Sequence, residues 1–361
     1  MKRLIQLALL MIPLLPIGAM AQEGRFYGLL RSRDLTPFGF VRLDMRPPHA
    51  VSLDTGSWAV EAEVAAQNTW AMSREVEQYL LSREDRGRHR LTPEGVEEIR
   101  ALPGENYLMD MEQALFEMTF HYKFADNWSA YGTVGWVSFD GGFMDWTIEK
   151  FHETFGFSTF GRPALARNDM NLVYDLNGAQ LVYLGDWPTN GGLTDPVIGA
   201  RYAGFWLSPR WHLTLEGAVK LPVQGRRALI SSGRTDYGVQ ASLQGLGRRN
   251  AFYASAAAVY YAGARLPVQQ DYQVIPTAIL GYEFQFTRNT NVNFQAYASK
   301  SVYSRRQTNL DELIATKYQY SLGVRHRIRN VLITVALNEN VQNVNNTQDV
   351  GFQLGVAYAP F

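Results

Sequence analysis

Cysteine is absent from the chain, which excludes disulfide staples and, with no cysteine beside Ala19-Met20-Ala21, a lipoprotein anchor. An exported protein of this size without disulfides needs a sizeable core or a lipid environment. Long apolar runs are missing too: beyond Ala21 none approaches the roughly 18 residues of a membrane helix, so the mature chain is not an inner-membrane protein. Charge of either sign is not in excess. Lys+Arg and Asp+Glu each number 34 and basic residues form no stripe, so nucleic acid is not an expected partner. No pattern calls for a cofactor.

What is present begins with an export signal. Met1-Lys2-Arg3 precede an apolar run from Leu4 to Leu15, ended by a small-x-small cleavage site at residue 21. Aromatics reach 13%, with 19 Tyr and 19 Phe. Ordinary hydropathy with many aromatics is the bulk appearance of a membrane barrel, whose lipid-facing and lumen-facing residues average out.

From Ser57 onward the dominant signal is alternation with period two, which puts successive side chains on opposite faces of a strand. Ala114, Phe116, Met118, Phe120, Tyr122 and Phe124 interleave with Gln113, Glu117, Thr119, His121 and Lys123. The same division recurs around Trp211–Leu221, Ala278–Phe286, Tyr318–Arg325 and Phe352–Tyr358. Connections alternate as well. Short turns stand at 125–127, 208–210, 247–250, 287–290 and 329–330, with longer polar stretches between them. Short periplasmic turns and long outer loops are the habit of bacterial barrels, whereas a soluble periplasmic β-domain, the alternative, has no reason for this regularity.

The expected fold is therefore an all-β, antiparallel up-and-down transmembrane barrel in the cell outer membrane over 57–361, of about 12–14 strands. The count turns on the hairpin flanking Asn177-Gly178, whose arms look short for the roughly 9–11 residues of a spanning strand. Either size leaves a lumen that side chains alone do not fill. Residues 22–56 are read as a lumen plug or, with similar weight, as a periplasmic tail. The long loop 73–103 reads as two short helices, the second opening on Thr92-Pro93-Glu94, in a solvated outer loop. The partners expected are outer-membrane lipid and, through the C-terminal strand ending at Phe361, the barrel assembly machinery. That phenylalanine is one residue out of step with Tyr358, Val356, Leu354 and Phe352, which a bulge would reconcile. Oligomeric state is left open.

In the second long loop, 140–168, Asp140 to Arg162 reads DGGFMDWTIEKFHETFGFSTFGR. Through Gly141, Gly142, Phe143, Asp145, Ile148, Phe151, His152, Phe155, Gly156 and Arg162 it resembles the signature of the bacterial family called domain of unknown function 3187. Arg33 to Gly39 is similar to that family's start, and Gly192-Leu193-Thr194-Asp195 to its Gly-x-Gly-Asp turn, with Thr194 replacing a glycine. The insertion 73–103 is longer than the family's pattern. The resemblance implies a barrel-type fold and no assigned activity.

Physically, Phe143 to Phe155 is a helix whose Met144, Ile148, Phe151 and Phe155 form one apolar stripe. It is expected to act as a plug or gate in the barrel mouth or lumen. Asp145, Glu149 and His152 share the adjacent face; they suit hydrogen bonds that dock the helix, or else a divalent metal or acid-base chemistry. Glu61, Glu63, Glu117, Lys123, Arg201, Glu216, Lys220, Glu283 and Arg325 should line the lumen, and their mixed signs argue against strong ion selectivity. The functions carried forward are a passive channel or transporter for small molecules, a sealed structural or surface-interaction barrel, and an outer-membrane enzyme.

Overall fold

The computed structural model describes residues 25–46, 53–177, 179–185, 191–265, 269–340 and 345–359. The export signal 1–21, Pro47-Pro48, Gly178 and Phe361, with the contact to assembly machinery expected of it, lie outside the described residues.

Twelve strands form the barrel: β1 (Trp58–Met72), β2 (Asn106–Ala125), β3 (Trp128–Asp140), β4 (Val197–Ser208), β5 (Trp211–Lys220), β6 (Asp236–Leu246), β7 (Asn250–Tyr261), β8 (Gln273–Gln285), β9 (Thr290–Ser299), β10 (Lys317–Ile328), β11 (Val331–Glu339) and β12 (Val350–Tyr358). Each is antiparallel to its neighbours, and β1 closes the ring by pairing with β2 on one side and β12 on the other, Val60 opposite Tyr358 and Asn68 opposite Val350. Closure leaves no free edge along the paired rows.

The doubtful hairpin, Asn171–Leu176 with Ala179–Leu184, has six residues in each arm and does not cross the membrane. It pairs with Asn106–Asp110 of β2, beyond the point where β3 ends with Asp140 opposite Glu112. The lower of the two expected counts is therefore the observed one. Strand faces follow the alternation: Phe116, Phe120, Tyr122, Leu215, Leu280, Leu322 and Leu354 are exposed, while Glu117, Thr119, Glu216, Glu283, Ser321 and Gln353 are buried inside.

β1 and β2 outrun the lipid at the long-loop end, so their outward row there must be covered by protein. In β2 the even-numbered residues face out; Leu108 continues that row, and Trp70 and Met72 continue it on β1. These three pack with Val76 and Leu80 of α1 (Arg74–Leu81), Val96 and Ile99 of α2 (Pro93–Arg100), and Val173. α2 begins as read, with the Thr92 hydroxyl accepting from the Gly95 N–H at 3.3 Å and Pro93 in the first turn. The expectation of a merely solvated loop at 73–103 is corrected: both helices bury an apolar side against the outer wall.

Candidate functional site

Residues 25–46 run through the barrel interior. They enter at the short-turn end, turn at Thr36–Arg42 near the long loops, and return. The segment joins no sheet, so its backbone groups need other partners in a buried place, and wall side chains supply them. The Tyr27 and Gly28 N–H groups donate to Glu283 at 2.8 and 3.0 Å. Arg325 donates to the carbonyls of Tyr27, Gly28 and Leu29 at 2.5, 2.9 and 2.7 Å. Asn293 donates to the Gly28 carbonyl at 2.8 Å. On the return, the Leu43 N–H donates to Asp236 at 2.9 Å and the Lys220 ammonium to the Val41 carbonyl.

Ion pairs hold the turn and the arms. Asp34 meets Lys317 at 2.7 Å. Arg33 and Arg46, one from each arm, converge on Glu117 at 2.8 Å each, with Glu63 4.0 Å from Arg46 and Arg31 3.4 Å from Glu61. The wall is also shaped for the segment. A Cβ on Gly281 would stand 1.9 Å from Leu29, and one on Gly323 2.8 Å from Leu30, so a side chain at either inward position would have to push the tip of the leucine aside.

At the long-loop end Phe38 packs edge-on to Tyr107, Tyr174 and Tyr303, with centroids 5.7, 6.3 and 6.5 Å away. A core around them, including Met109, Leu172, Ile230 and Leu313, closes that end of the interior. Below it a void of about 30 Å³ among Arg31, Arg33, Arg42, Glu117 and Lys220 has room for about one or two waters. At the short-turn end a cavity of about 460 Å³ opens among Phe26, Glu61, His121, Lys123, Trp206 and His212.

The lumen-wall residues expected from sequence all lie on the inner rows. Glu117, Lys220, Glu283 and Arg325 hold the segment, and Lys123 donates to the Leu53 carbonyl at 2.8 Å as the chain leaves it. Arg201 and Glu216 pair with each other at 2.7 Å, with the guanidinium 4.2 Å over the Tyr131 ring. Sequence reasoning missed Asp236, Asn291 and Asn293, and set Lys317 on the polar row of its strand without counting it in the lumen wall. Their signal was present: each sits on an inward position of its strand, but at a strand end or as a neutral amide it did not stand out.

The helix of the Gly-Gly-Phe block, α3 (Asp145–Phe155), is placed differently from expectation. Glu112 of β2, on the outward row, accepts from the Phe143 and Met144 N–H groups at 3.0 and 2.6 Å and so caps the helix start with a carboxylate. Gly142 presses against it: a Cβ there would meet the Glu112 carboxyl at 1.8 Å, and one on Gly141 would meet the Asn168 carbonyl at 2.1 Å. Asp145 pairs with Arg162 at 2.8 Å, and Arg162 reaches Asn68 and Asp349 at 2.7 Å each. Asn68 is also on the outward row, so α3 lies against the outside of the wall and not in the lumen. Of the apolar stripe, Met144 and Ile148 are buried, but Phe151 and Phe155 are 47% and 63% exposed.

The three polar residues of that helix do not converge. Glu149 meets Arg88 and Arg167 at 2.6 Å each, and His152 Nδ1 lies 2.9 Å from the Ser158 carbonyl. Among the described residues no group of His, Cys, Asp or Glu is placed to hold a metal ion. Because α3 is outside the wall, Phe151→Ala with Phe155→Ala should leave solute leakage through the barrel unchanged in a liposome-swelling assay. Increased leakage in that double variant would show that the helix restricts the path after all.

The chain is similar to the crystal structure of the COG4313 outer membrane channel from Pseudomonas putida F1, at 9% identity and a TM-score of 0.50, over 85% of this chain and 97% of that one. It is also similar to the NanC porin at 8% identity and a TM-score of 0.41, over 68% of this chain and 93% of that one. The translocator domain of autotransporter NalP from Neisseria meningitidis matches at 10% identity and a TM-score of 0.38, over 86% and 90% of the two chains. The first likeness is one of fold, a bacterial outer-membrane barrel. A search of the curated proteins finds no match. The model of the family described as Protein of unknown function (DUF3187) matches residues 102–359, more than half of the chain, which therefore belongs to that family.

Proposed function

We propose that this member of the DUF3187 family is a passive outer-membrane channel for small polar solutes, with residues 25–46 as a removable plug. One observation carries the reading: the lumen is filled by a segment that pairs with no strand and is held by side chains of the wall. Taking it away breaks no strand ladder, so the barrel has a closed and an open arrangement available to it. The solutes are small because about twelve strands enclose a lumen of modest width, and polar because the wall carries charges of both signs.

A second reading is a sealed scaffold whose outer loops do the binding, favoured by the apolar core that closes the long-loop end around Phe38. Deletion of 25–46 separates the two. The variant, checked for heat-modifiable mobility, should give large conductance steps in planar bilayers and rapid swelling of sugar-loaded liposomes, where the intact protein gives little of either. A folded deletion variant that passes neither ions nor sugars would leave the scaffold as the better account.

A further inference from the structure

The outer face of the wall changes character at one level. Along β2 the outward row is exposed at Phe124, Tyr122, Phe120 and Phe116, then buried at Glu112 and Asp110; on β1 it passes from exposed Val64 to buried Asn68 and Trp70. The stretch from Phe124 back to Ala114, which stops just short of Glu112, has the length of a tilted transmembrane strand of roughly 9–11 residues, so the change marks the outer boundary of the lipid. α3 lies along that boundary. Its start rests on Glu112 of β2, Asp145 bonds to Asn68 of β1 at 3.4 Å, and His152 is 3.9 Å from Asp349, which precedes β12.

The two flanks of α3 differ. Successive helical residues turn by about 100°. Asp145, Ile148 and His152 therefore face the wall; Glu149 lies on one flank, Phe151 and Phe155 on the other. The Glu149 flank is tied by Arg88 to the cap built on Trp70 and Leu108, since Arg88 also donates to the Leu165 carbonyl at 3.1 Å. The aromatic flank thus looks away from the cap, toward the lipid-facing rows. There Phe151, Phe155 and Phe157 cluster with ring centroids 4.7, 5.9 and 6.4 Å apart, while remaining 47%, 63% and 45% exposed. Three clustered phenylalanines in water would be an aggregation hazard; continuous with a lipid belt they are not.

We propose that α3 is an interfacial helix whose Phe151, Phe155 and Phe157 rest in the outer leaflet at the boundary of headgroups and acyl chains. The occupant is lipid because α3 is fastened to the wall at the level where the exposed apolar rows of Phe116, Val64 and Phe352 end, and aromatic side chains at a membrane boundary bury their rings while a polar flank stays wet. The helix would fix how deep the barrel sits on the β12-β1-β2 side.

The absence of cysteine makes the test clean. Phe151→Cys, Phe155→Cys and Phe157→Cys, each labelled with bimane, go into phosphatidylcholine nanodiscs carrying doxyl groups near the headgroup. Phe116→Cys serves as the lipid reference and Lys150→Cys, 57% exposed as a lysine side chain, as the water reference. All five positions are exposed, and heat-modifiable mobility checks each barrel. Doxyl quenching at 151 and 155 as deep as at 116, with protection from iodide relative to 150, is the expected result. Iodide quenching like that at 150 without a doxyl effect overturns the proposal. So does shielding from both quenchers with cross-linking between copies, which would make the patch an interface between barrels.

Discussion

Glu117→Ala is expected to unseat residues 25–46 and convert a closed barrel into a leaky one. Glu117 receives Arg33 and Arg46 at 2.8 Å each, and all three side chains lie within the filled lumen. Breaking a buried pair by removing one partner costs about 3–5 kcal/mol, because the charge left behind is buried and under-compensated. Here one substitution leaves two guanidiniums. Glu63 recovers part of the loss for Arg46, being 4.0 Å away, but among the described residues Arg33 keeps only the Phe40 carbonyl at 2.8 Å and the Phe40 ring. At the lower bound this is a shift of roughly a hundredfold in the ratio of seated to released segment. Expected readouts are frequent channel openings in bilayers, sensitivity to bulky antibiotics, and trypsin cleavage at Arg31 or Arg33 from the periplasmic side. Glu117→Gln keeps an acceptor and should lie between. Wild-type conductance and trypsin resistance in a folded Glu117→Ala barrel would mean that the segment is not held through this pair.

The strand faces were legible in the sequence because each depends on nearest neighbours alone: parity around Phe116 and Glu117 needs no knowledge of the rest of the chain. The seating of 25–46 was not legible, since its partners are distant in sequence, as Tyr27 and Glu283 are, and charge with proline equally marks a disordered tail. The side of the wall that carries α3 was misread for a related reason. In a membrane barrel polar residues point in and apolar ones out, but the rule holds only within the lipid. Asn68, Asp110 and Glu112 stand above it on the outward row, where they are covered by protein: Asn68 and Glu112 hold the helix, and Asp110 accepts from Asn171 of the short hairpin. For the same reason polar Asp145 and His152 are buried on α3 while Phe151 and Phe155 are exposed; a stripe drawn by hydrophobicity alone selects the wrong edge. The family block makes sense in that light. Its two glycines are where the chain passes tightly over Asn168 and Glu112, and Asp145, His152 and Arg162 are the polar residues that fasten the loop to the wall.

That fastening can be tested apart from the pore, and Arg162→Ala should detach the outer cap while leaving the barrel closed. Arg162 is almost fully buried, bonds Asp145, Asn68 and Asp349, and lies 4.8 Å over the Trp70 ring. It joins α3 to β1 and to the chain entering β12. Without it, two carboxylates face each other across a buried space; Asp145 keeps the Asn168 N–H at 2.8 Å, but Asp349 loses its guanidinium. The expected cost is about 3–5 kcal/mol, confined to the cap because none of these contacts reaches the lumen. Arg162→Lys should recover less than half, since an ammonium does not bridge three acceptors as a planar fork does. Hydrogen exchange of α3 and of 73–105 should rise sharply in Arg162→Ala, and protease added to intact cells should cut within 140–168. Conductance and heat-modifiable mobility should stay those of the wild type. Increased exchange along the strands, or leakage equal to that of Glu117→Ala, would show that cap and plug move together and that the outer loops control the lumen.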